Sequence, residues 1–336
     1  MAKLQPYSSA RDEFEDSDQE MIFLDANENP FENGVNRYPD PQQRRLKTVL
    51  ATQKEVQIEQ ILLGNGSDEV LDLLFRAFCE PNVDNVITLP PTYGMYKVLA
   101  GINAVENREV LLTDAFELNV PEILKQQNST SKLLFICTPN NPTGNVFNTE
   151  AISELLENFN GIVVIDEAYI DFAERESWIE KLSEYPNLVV TQTLSKAYGM
   201  AGIRVGICYA SAEIIATLNK IKPPYNVNEL TQQKAIEQLN KVSEVKNEIS
   251  LIIEEKERLC KVLLQINFIE KTHPSEANFI LVKVDNALKR YEQLIERGIV
   301  MRNRSQQPLC KNTLRFTVGT QKENTTLIEA LGNLPF

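Results

Sequence analysis

The chain has 336 residues, of which 43% are hydrophobic and 24% are charged, and its formal net charge is −13. This composition is typical of a soluble globular protein, and it excludes a disordered, collagen-like or disulfide-rich chain. The acidic excess argues against general binding of nucleic acids or anionic membranes, since both require positive fields. We therefore expect an anionic small molecule to be bound only by a few locally placed arginines.

The histidine and cysteine content restricts the chemistry further. The single histidine, His273, excludes a multi-histidine metal site and a histidine-based catalytic triad, so we predict no metal centre. The five cysteines are widely spaced and form no C-x-x-C pair, which indicates reduced thiols. The sequence shows no secretory signal and no apolar run long enough to span a bilayer, so we expect a cytoplasmic protein without membrane contact.

Short apolar runs alternate with helical segments along the first two thirds of the chain. Apolar residues recur at helical spacing over residues 67–79 and 150–158. Other runs lack the polar alternation of a half-exposed sheet and predict buried strands at residues 85–89, 132–138, 161–166, 188–193 and 206–210. This alternation predicts an α/β fold with a mostly parallel sheet wrapped by helices.

The pattern changes after Pro223 and Pro224. Residues 229–265 are charged and favour one long helix, and the segment contains no glycine or proline. Two strands at 279–284 and 314–320 follow, with a helix at 288–296 between them and a closing helix near 325–331. We therefore predict an N-terminal arm at 1–34, a large cofactor-binding domain at 35–227 and a smaller α+β domain at 228–336.

A glycine-containing turn at residues 64–69 opens the first of these helices. Small residues at a helix start let backbone N–H groups approach a phosphate. A dinucleotide site is the first alternative, but Glu69 stands where a third glycine is required and Asp84 precedes the next strand. A turn capped by the side chain of Ser67 or Asp68 is the second alternative. This motif alone does not decide among these interpretations.

Three further motifs directly follow predicted strands, where ligands of open α/β sheets bind. Asn141 stands between a proline and a turn, and Asp166 ends an apolar strand, where a carboxylate needs a cationic partner. Lys196 follows the strand at 188–193. A lysine in a dry site loses its proton readily and can form a Schiff base. Ser195 and Arg204 are natural donors to a phosphate.

These parts match the requirements of pyridoxal 5′-phosphate, which needs a lysine, an acid facing its ring nitrogen, donors to its phenolic oxygen and an aromatic side chain for stacking. Tyr93 is the candidate for stacking, with ordinary packing near a proline-rich turn as its alternative. A cofactor-free binding protein is disfavoured by the presence of both Lys196 and Asp166. A nicotinamide-dependent dehydrogenase is disfavoured by Glu69 and Asp84.

The chain resembles the fold-type-I pyridoxal-phosphate aminotransferases and, among them, the histidinol-phosphate aminotransferases. The resemblance rests on Ser195-Lys196 with Arg204 and on residues 4–7, 24–30, 36–40 and 314–320. It implies transamination between L-histidinol phosphate or imidazole-acetol phosphate and 2-oxoglutarate or L-glutamate, in L-histidine biosynthesis. It also implies a homodimer with its sites at the interface. An aromatic amino-acid aminotransferase and a phosphothreonine-type decarboxylase on the same scaffold are the alternatives.

The resemblance implies roles for individual residues. Lys196 would form the Schiff base and Asp166 would pair with the ring nitrogen. Tyr169 would take part in catalysis and would hydrogen-bond the phenolic oxygen of the cofactor. The other cofactor contacts it implies are Gly66, Ser67, Tyr93, Asn141, Ser195, Arg204 and Tyr38 of the partner subunit.

For the substrate, the resemblance implies contacts with Tyr7, Asn27, Arg302 and Arg315. From the residues alone, Arg302 and Arg304 lie in a polar loop, where solvated arginines are common. Arg315 begins an apolar strand, so we expect its charge to have a partner.

Overall fold

The computed structural model describes residues 21–334, which form two β-sheets surrounded by helices. The larger sheet contains β1 (Ile61–Asn65), β2 (Asn85–Thr88), β3 (Glu106–Glu109), β4 (Ser131–Cys137), β5 (Ile162–Asp166), β6 (Leu188–Thr193) and β7 (Val205–Ala210). The smaller sheet contains β8 (Ile269–Thr272), β9 (Phe279–Val284), β10 (Arg302–Asn303) and β11 (Thr313–Thr317).

The helices lie between these strands in the chain. They are α1 (Arg44–Lys54), α2 (Ser67–Phe78), α3 (Met95–Ile102), α4 (Val120–Gln126), α5 (Thr149–Asn158), α6 (Ala212–Asn219), α7 (Glu229–Leu239), α8 (Val242–Leu263), α9 (Ala287–Ile295) and α10 (Gln321–Gly332). Within residues 21–334, none of them is both long and apolar enough to cross a bilayer.

The larger sheet has the strand order β1-β7-β6-β5-β4-β2-β3. Only β7 runs against its neighbours, so the mostly parallel sheet predicted from the sequence is confirmed. Successive residues of β4 point to opposite faces. Leu134 and Ile136 join one hydrophobic cluster, and Leu133 and Phe135 join the other. Both faces are therefore covered, which is why the strands read as continuous apolar runs.

The predicted elements of this part match the structure closely. The five predicted strands correspond to β2, β4, β5, β6 and β7, each within one residue at either end. Helix α2 buries Val70, Leu71 and Leu74 against the sheet, as the helical spacing predicted. Helix α5 begins where the Asn148 side chain accepts a hydrogen bond from the N–H of Ala151 (2.9 Å), which satisfies a free donor of the first turn.

The smaller sheet is antiparallel throughout, in the order β10-β11-β9-β8. Its covered face packs against α8, α9 and α10 through Leu259, Leu294 and Leu327. The predicted strand at 314–320 is confirmed as β11, which ends earlier, and the closing helix begins earlier, at Gln321. The proposed boundaries at residues 34 and 227 stay a prediction, because the presence of two sheets does not fix them.

The single helix predicted over 229–265 is wrong, since the chain forms α7 and α8 with a break at Asn240 and Lys241. The side chain of Gln53 donates a hydrogen bond to the carbonyl oxygen of Leu239 (2.8 Å), at the end of α7. This contact from α1 satisfies a carbonyl that would otherwise lack a partner. The break coincides with this contact and with Asn240, a residue type that is common at helix ends.

Glu167 is a buried carboxylate that holds the segment after β5 against β6. It accepts hydrogen bonds from the Ser177 hydroxyl (2.5 Å), the Trp178 N–H (2.7 Å) and the Gln192 amide (2.8 Å). Burial raises the pKa of Glu167 to about 7, although these hydrogen bonds act in the opposite direction. The folded protein therefore binds a proton that the unfolded chain releases near pH 4.5.

We expect Glu167 to make the free energy of unfolding fall as pH rises from about 4.5 to 7, by up to about 3 kcal/mol. Urea unfolding at pH 5.0 and 7.5 measures this difference. Glu167→Gln should remove the fall, because a glutamine does not titrate. The exposed Glu174→Gln serves as the matched control and should keep it. An equal pH dependence in wild type and Glu167→Gln would contradict the assignment.

Candidate active site

The carboxyl ends of β4, β5 and β6 meet at one small cavity. Asp166 at the end of β5 is in register with Cys137 of β4 and Thr191 of β6. Eight of the residues predicted to hold a cofactor line this cavity, namely Ser67, Tyr93, Asn141, Asp166, Tyr169, Ser195, Lys196 and Arg204. The structure therefore brings together motifs that are far apart in the sequence.

Asp166 lies at the base of the cavity and is 3% exposed. Its carboxylate accepts hydrogen bonds from the Tyr96 hydroxyl (2.7 Å) and, less closely, from the N–H of Ala168 (3.3 Å). Burial raises the pKa of Asp166, while the hydrogen bonds from Tyr96, Thr191 and Ala168 lower it. Within residues 21–334, no lysine or arginine forms an ion pair with it, so the cationic partner predicted from the sequence is not a side chain of that part of the chain.

Tyr96 is the site residue that the sequence reasoning missed. It is fully buried in α3, its ring meets that of Tyr93 edge-on at 5.5 Å, and it stacks on Phe135 at 4.8 Å. Desolvation and the neighbouring Asp166 raise the pKa of Tyr96 far above its usual range, so it stays a hydrogen-bond donor. The only signal in the sequence was that Tyr96 follows Tyr93 by three residues, a spacing that puts two side chains on the same side of a helical turn.

Lys196 follows β6 and reaches the cavity from its open side. Its Nζ lies 5.7 Å from the centroid of the Tyr169 ring. The residue is exposed overall, yet desolvation of the ammonium and the charge of Arg315 lower its pKa, while Asp166 raises it. The lysine therefore releases its proton more easily than a solvated lysine, as Schiff-base chemistry requires.

A cradle for an anion lies where α2 begins. Gly66 is the N-cap residue with φ 81°, and no side chain of the described residues caps this end, so the alternative of a turn capped by Ser67 or Asp68 is excluded. The first N–H groups of α2 are thus left for a ligand, and the helix dipole favours a negative one. Arg204 lies beside the same turn, 3.4 Å from the Ser195 hydroxyl and 4.0 Å from Asp68.

We expect Gly66→Ala to weaken anion binding at this cradle and to cost about 1–3 kcal/mol of stability. A Cβ at this position would collide with the guanidinium of Arg204, and the positive φ strains any other residue. Thermal unfolding and titration with pyridoxal phosphate measure the two effects. Gly101→Ala is the control, because a Cβ there meets no atom within 4 Å. Unchanged affinity in Gly66→Ala would contradict the cradle.

Arg315 and Asn141 form a pair on the other side of the cavity. The Arg315 guanidinium donates to the Asn141 side-chain oxygen (2.5 Å) and lies 5.0 Å over the ring of Phe279. Tyr169 packs edge-on against the same ring at 5.1 Å. Burial and the charge of Arg304 lower the pKa of Arg315 to about 10. The partner predicted for Arg315 is thus an amide and an aromatic face.

The remaining predicted site residues lie elsewhere in the described chain. Asn27 and Tyr38 line a separate groove, and the Tyr38 ring stacks on Tyr225 at 4.6 Å. Arg302 lies exposed on β10, in register with Arg315 of β11. Tyr7 falls outside the described residues.

Comparison with known proteins identifies the family. The family model for class I and II aminotransferases matches residues 22–331 of this chain. The chain belongs to this aminotransferase family. It is 68% identical to the histidinol-phosphate aminotransferase of Flavobacterium johnsoniae, over 98% of this chain and 94% of that protein.

Two solved structures of histidinol-phosphate aminotransferases share the fold. The histidinol-phosphate aminotransferase of Clostridium acetobutylicum is 26% identical with a TM-score of 0.82, over 88% of this chain and 90% of that one. The histidinol-phosphate aminotransferase of Sinorhizobium meliloti, solved in complex with pyridoxal 5′-phosphate, is 23% identical with a TM-score of 0.79. The match covers 88% of this chain and 82% of that one. The predicted fold-type-I architecture is confirmed.

The residues of this aminotransferase fit pyridoxal 5′-phosphate, the cofactor predicted from the sequence. Asp166, a buried carboxylate that pairs with no lysine or arginine of the described residues, suits a protonated ring nitrogen. At Gly66, an added Cβ would fill the space beside Arg204, so the glycine leaves room for a phosphate at the start of α2. The amine of Lys196, whose pKa is lowered, lines the same cavity.

Proposed function

We propose that this aminotransferase exchanges the amino group between L-histidinol phosphate and 2-oxoglutarate, giving imidazole-acetol phosphate and L-glutamate, as a step of L-histidine biosynthesis. The observation that carries the proposal is the joining of Lys196, Asp166 and the α2 cradle in one cavity beside Arg315. The 68% identity to a histidinol-phosphate aminotransferase over nearly the full length supports this choice of substrate.

The bound cofactor would be held at three points. The backbone N–H of Ser67, with Ser195 and Arg204, would bind its phosphate. The predicted contact through the N–H of Gly66 is not available, because this group donates to the carbonyl oxygens of Gly64 and Arg204. Asp166 would hold a proton on the ring nitrogen, with Tyr96 keeping the carboxylate oriented. Tyr93 would stack on the cofactor ring. Asn141 and Tyr169 would form hydrogen bonds with its phenolic oxygen.

When bound, pyridoxal phosphate stabilises the electron pair left on the substrate Cα after its proton is removed. Lys196 would supply the base: its Nζ would take the Cα proton of the substrate and deliver it to C4′ of the cofactor. The lowered pKa of Lys196 favours the neutral amine that this step requires. Arg315 would hold an anionic group of the substrate and so orient the Cα–H bond toward Nζ.

We also propose a homodimer in which Tyr38 reaches the cofactor phosphate of the partner subunit. The segment before α1 exposes large apolar side chains, including Ile22 (83% exposed), Leu24 (85%) and Phe31 (79%). Leu230 of α7 is also exposed, and it lines a groove with Tyr38 and other residues of that segment. An exposed apolar surface of this kind marks an interaction site. A cytoplasmic location is part of the proposal, because all five cysteines are free thiols.

We expect a solution mass of about twice 38.2 kDa by light scattering. The double variant Leu24→Asp/Leu230→Asp should shift this mass toward the monomer and weaken binding of pyridoxal phosphate, because charges would be buried at the interface. Leu288→Asp, an exposed position on α9, is the matched control and should stay dimeric. A monomeric wild type with full activity would contradict the shared site.

A half-reaction tests the substrate. The protein is loaded with pyridoxal phosphate, and L-histidinol phosphate or L-phenylalanine is added without a keto acid while the cofactor absorbance is followed. We expect L-histidinol phosphate to convert the cofactor far faster. Equal or reversed rates would move the protein to the aromatic amino-acid aminotransferases. Release of carbon dioxide from O-phosphothreonine would indicate the decarboxylase instead.

A further inference from the structure

Asn226 forms hydrogen bonds on both sides of its side-chain amide. The amide nitrogen donates to the carbonyl oxygen of Leu63 (3.0 Å) and to the carboxylate of Glu69 (2.7 Å). The amide oxygen accepts hydrogen bonds from the ammonium of Lys222 and from the amide of Gln43, both at 3.3 Å. An asparagine amide has two donor hydrogens and two acceptor lone pairs, so all four are used. A carboxylate on one side and an ammonium on the other fix the direction in which the amide points.

The nitrogen side of this amide leads to the cradle at the start of α2. Glu69 lies in the first turn of α2, and its carboxylate also accepts a hydrogen bond from the backbone N–H of Asn65 (2.6 Å). Asn65 ends β1 and directly precedes Gly66, and Leu63 lies in the same strand. Asn226 therefore ties the end of β1 to the first turn of α2, and the cradle is the turn between these two points.

The oxygen side of the amide leads to the segment that carries Tyr38. Lys222, which is 8% exposed, and Gln43, which is fully buried, both donate to the carbonyl oxygen of Pro41 (3.0 and 2.7 Å). Pro41 lies three residues after Tyr38, whose ring stacks on that of Tyr225, the residue before the asparagine. The segment is thus held at its backbone and at its aromatic ring by the loop that precedes α7.

We propose that Asn226 is a positioning residue for two cofactor sites at once. Through Glu69 it sets the cradle for the cofactor phosphate of its own subunit. Through Lys222 and Gln43 it sets how Tyr38 reaches the cofactor phosphate of the partner subunit. This inference rests on the proposed function, which supplies the cofactor and the shared site. Buried polar groups are costly to leave without partners, so removing the amide displaces both segments rather than one.

The test uses hybrid dimers, purified through different affinity tags, in which only one site can react. Lys196→Ala silences the site of the subunit that carries it, so activity reports the other site alone. Asn226→Ala is placed on the active subunit in the first hybrid, which tests the cradle. It is placed on the silenced subunit in the second hybrid, which tests the reach of Tyr38.

We expect each hybrid to need about 10-fold more pyridoxal phosphate for half-maximal activity than a hybrid without Asn226→Ala, the effect of losing one hydrogen bond to a charged group. The rate at saturating cofactor should change less than about threefold, because no group at the reacting atoms is altered. In the Asn226→Ala homodimer the two effects meet at every site. Absorbance titration with pyridoxal phosphate should therefore show an affinity about 100-fold below that of wild type.

Two partner variants separate the two sides of the amide, and they also serve if Asn226→Ala does not fold. Glu69→Ala should weaken only the site of the subunit that carries it, whereas Gln43→Ala should weaken only the site of the partner subunit. A general loss of stability would not produce this opposite pattern. Asn267→Ala, at an exposed position in the smaller domain, is the matched control and should change neither site.

The outcomes distinguish the inference from the function on which it rests. An effect of Asn226→Ala that is absent, or confined to one of the two hybrids, would overturn the inference alone. So would Glu69→Ala and Gln43→Ala weakening the same site. If Tyr38→Phe on the silenced subunit leaves the cofactor affinity of the active site unchanged, the shared site of the proposed homodimer fails, and the inference fails with it.

Discussion

Replacing Lys196 by alanine is expected to abolish transamination, with kcat falling by at least about 10⁴-fold, while the protein still folds and binds pyridoxal phosphate. The variant removes the amine whose lowered pKa makes it the base for the substrate Cα proton. The α2 cradle, Tyr93 and Asp166 remain unchanged, so the contacts proposed for the phosphate and the ring persist. The loss should therefore appear in kcat far more than in cofactor content.

The measurement combines cofactor content after dialysis with single-turnover rates for L-glutamate and L-histidinol phosphate. Lys196→Arg is the informative companion variant, because it keeps a positive charge but offers no amine that can act as a base at neutral pH. Both variants should be inactive if the amine itself is needed, whereas a purely electrostatic role would leave Lys196→Arg active. Wild-type turnover by Lys196→Ala, free of contaminating enzyme, would refute the mechanism.

Most of the cavity could be predicted because its residues follow buried strands. Asn141, Asp166 and Lys196 each come after an apolar run, and the carboxyl ends of parallel strands lie at one edge of a sheet. Local sequence patterns thus predicted both the strands and the side chains that line the cavity at their ends. The turn before α2 was predicted only as an ambiguity. The structure excludes the turn capped by Ser67 or Asp68, and the phosphate site there stays a prediction.

The features that could not be predicted depend on contacts between distant residues. Tyr96 forms a hydrogen bond with Asp166, which lies 70 residues further along the chain. The sequence around Tyr96 is that of an ordinary buried tyrosine. At the break after α7, the carbonyl oxygen of Leu239 accepts a hydrogen bond from Gln53, a residue of another helix. Strand β10 has two residues, which are too few to show the alternation of apolar and polar side chains that identifies a strand. The sequence therefore placed Arg304 in a polar loop.

Asp166→Asn should lower kcat by about 10²- to 10³-fold and weaken cofactor binding, since it removes one partner of a buried charge pair. An asparagine fits the same space and can still accept a hydrogen bond from Tyr96, but it cannot balance a protonated ring nitrogen. Asp114→Asn, the same substitution at an exposed site, is the control and should behave as wild type.

Tyr96→Phe separates the charge of Asp166 from its orientation. Loss of this hydroxyl removes the shortest hydrogen bond to the carboxylate (2.7 Å) without removing the carboxylate itself. That hydrogen bond lowers the pKa of Asp166 against the opposing effect of burial, so the variant should raise this pKa. We expect a loss of about 10-fold or less at pH 8, larger at pH 6, where a carboxyl with a raised pKa holds its proton more often. Half-reaction rates over this pH range measure it, and a loss as large as that of Asp166→Asn at every pH would mean that Tyr96 acts on the cavity by packing rather than through Asp166.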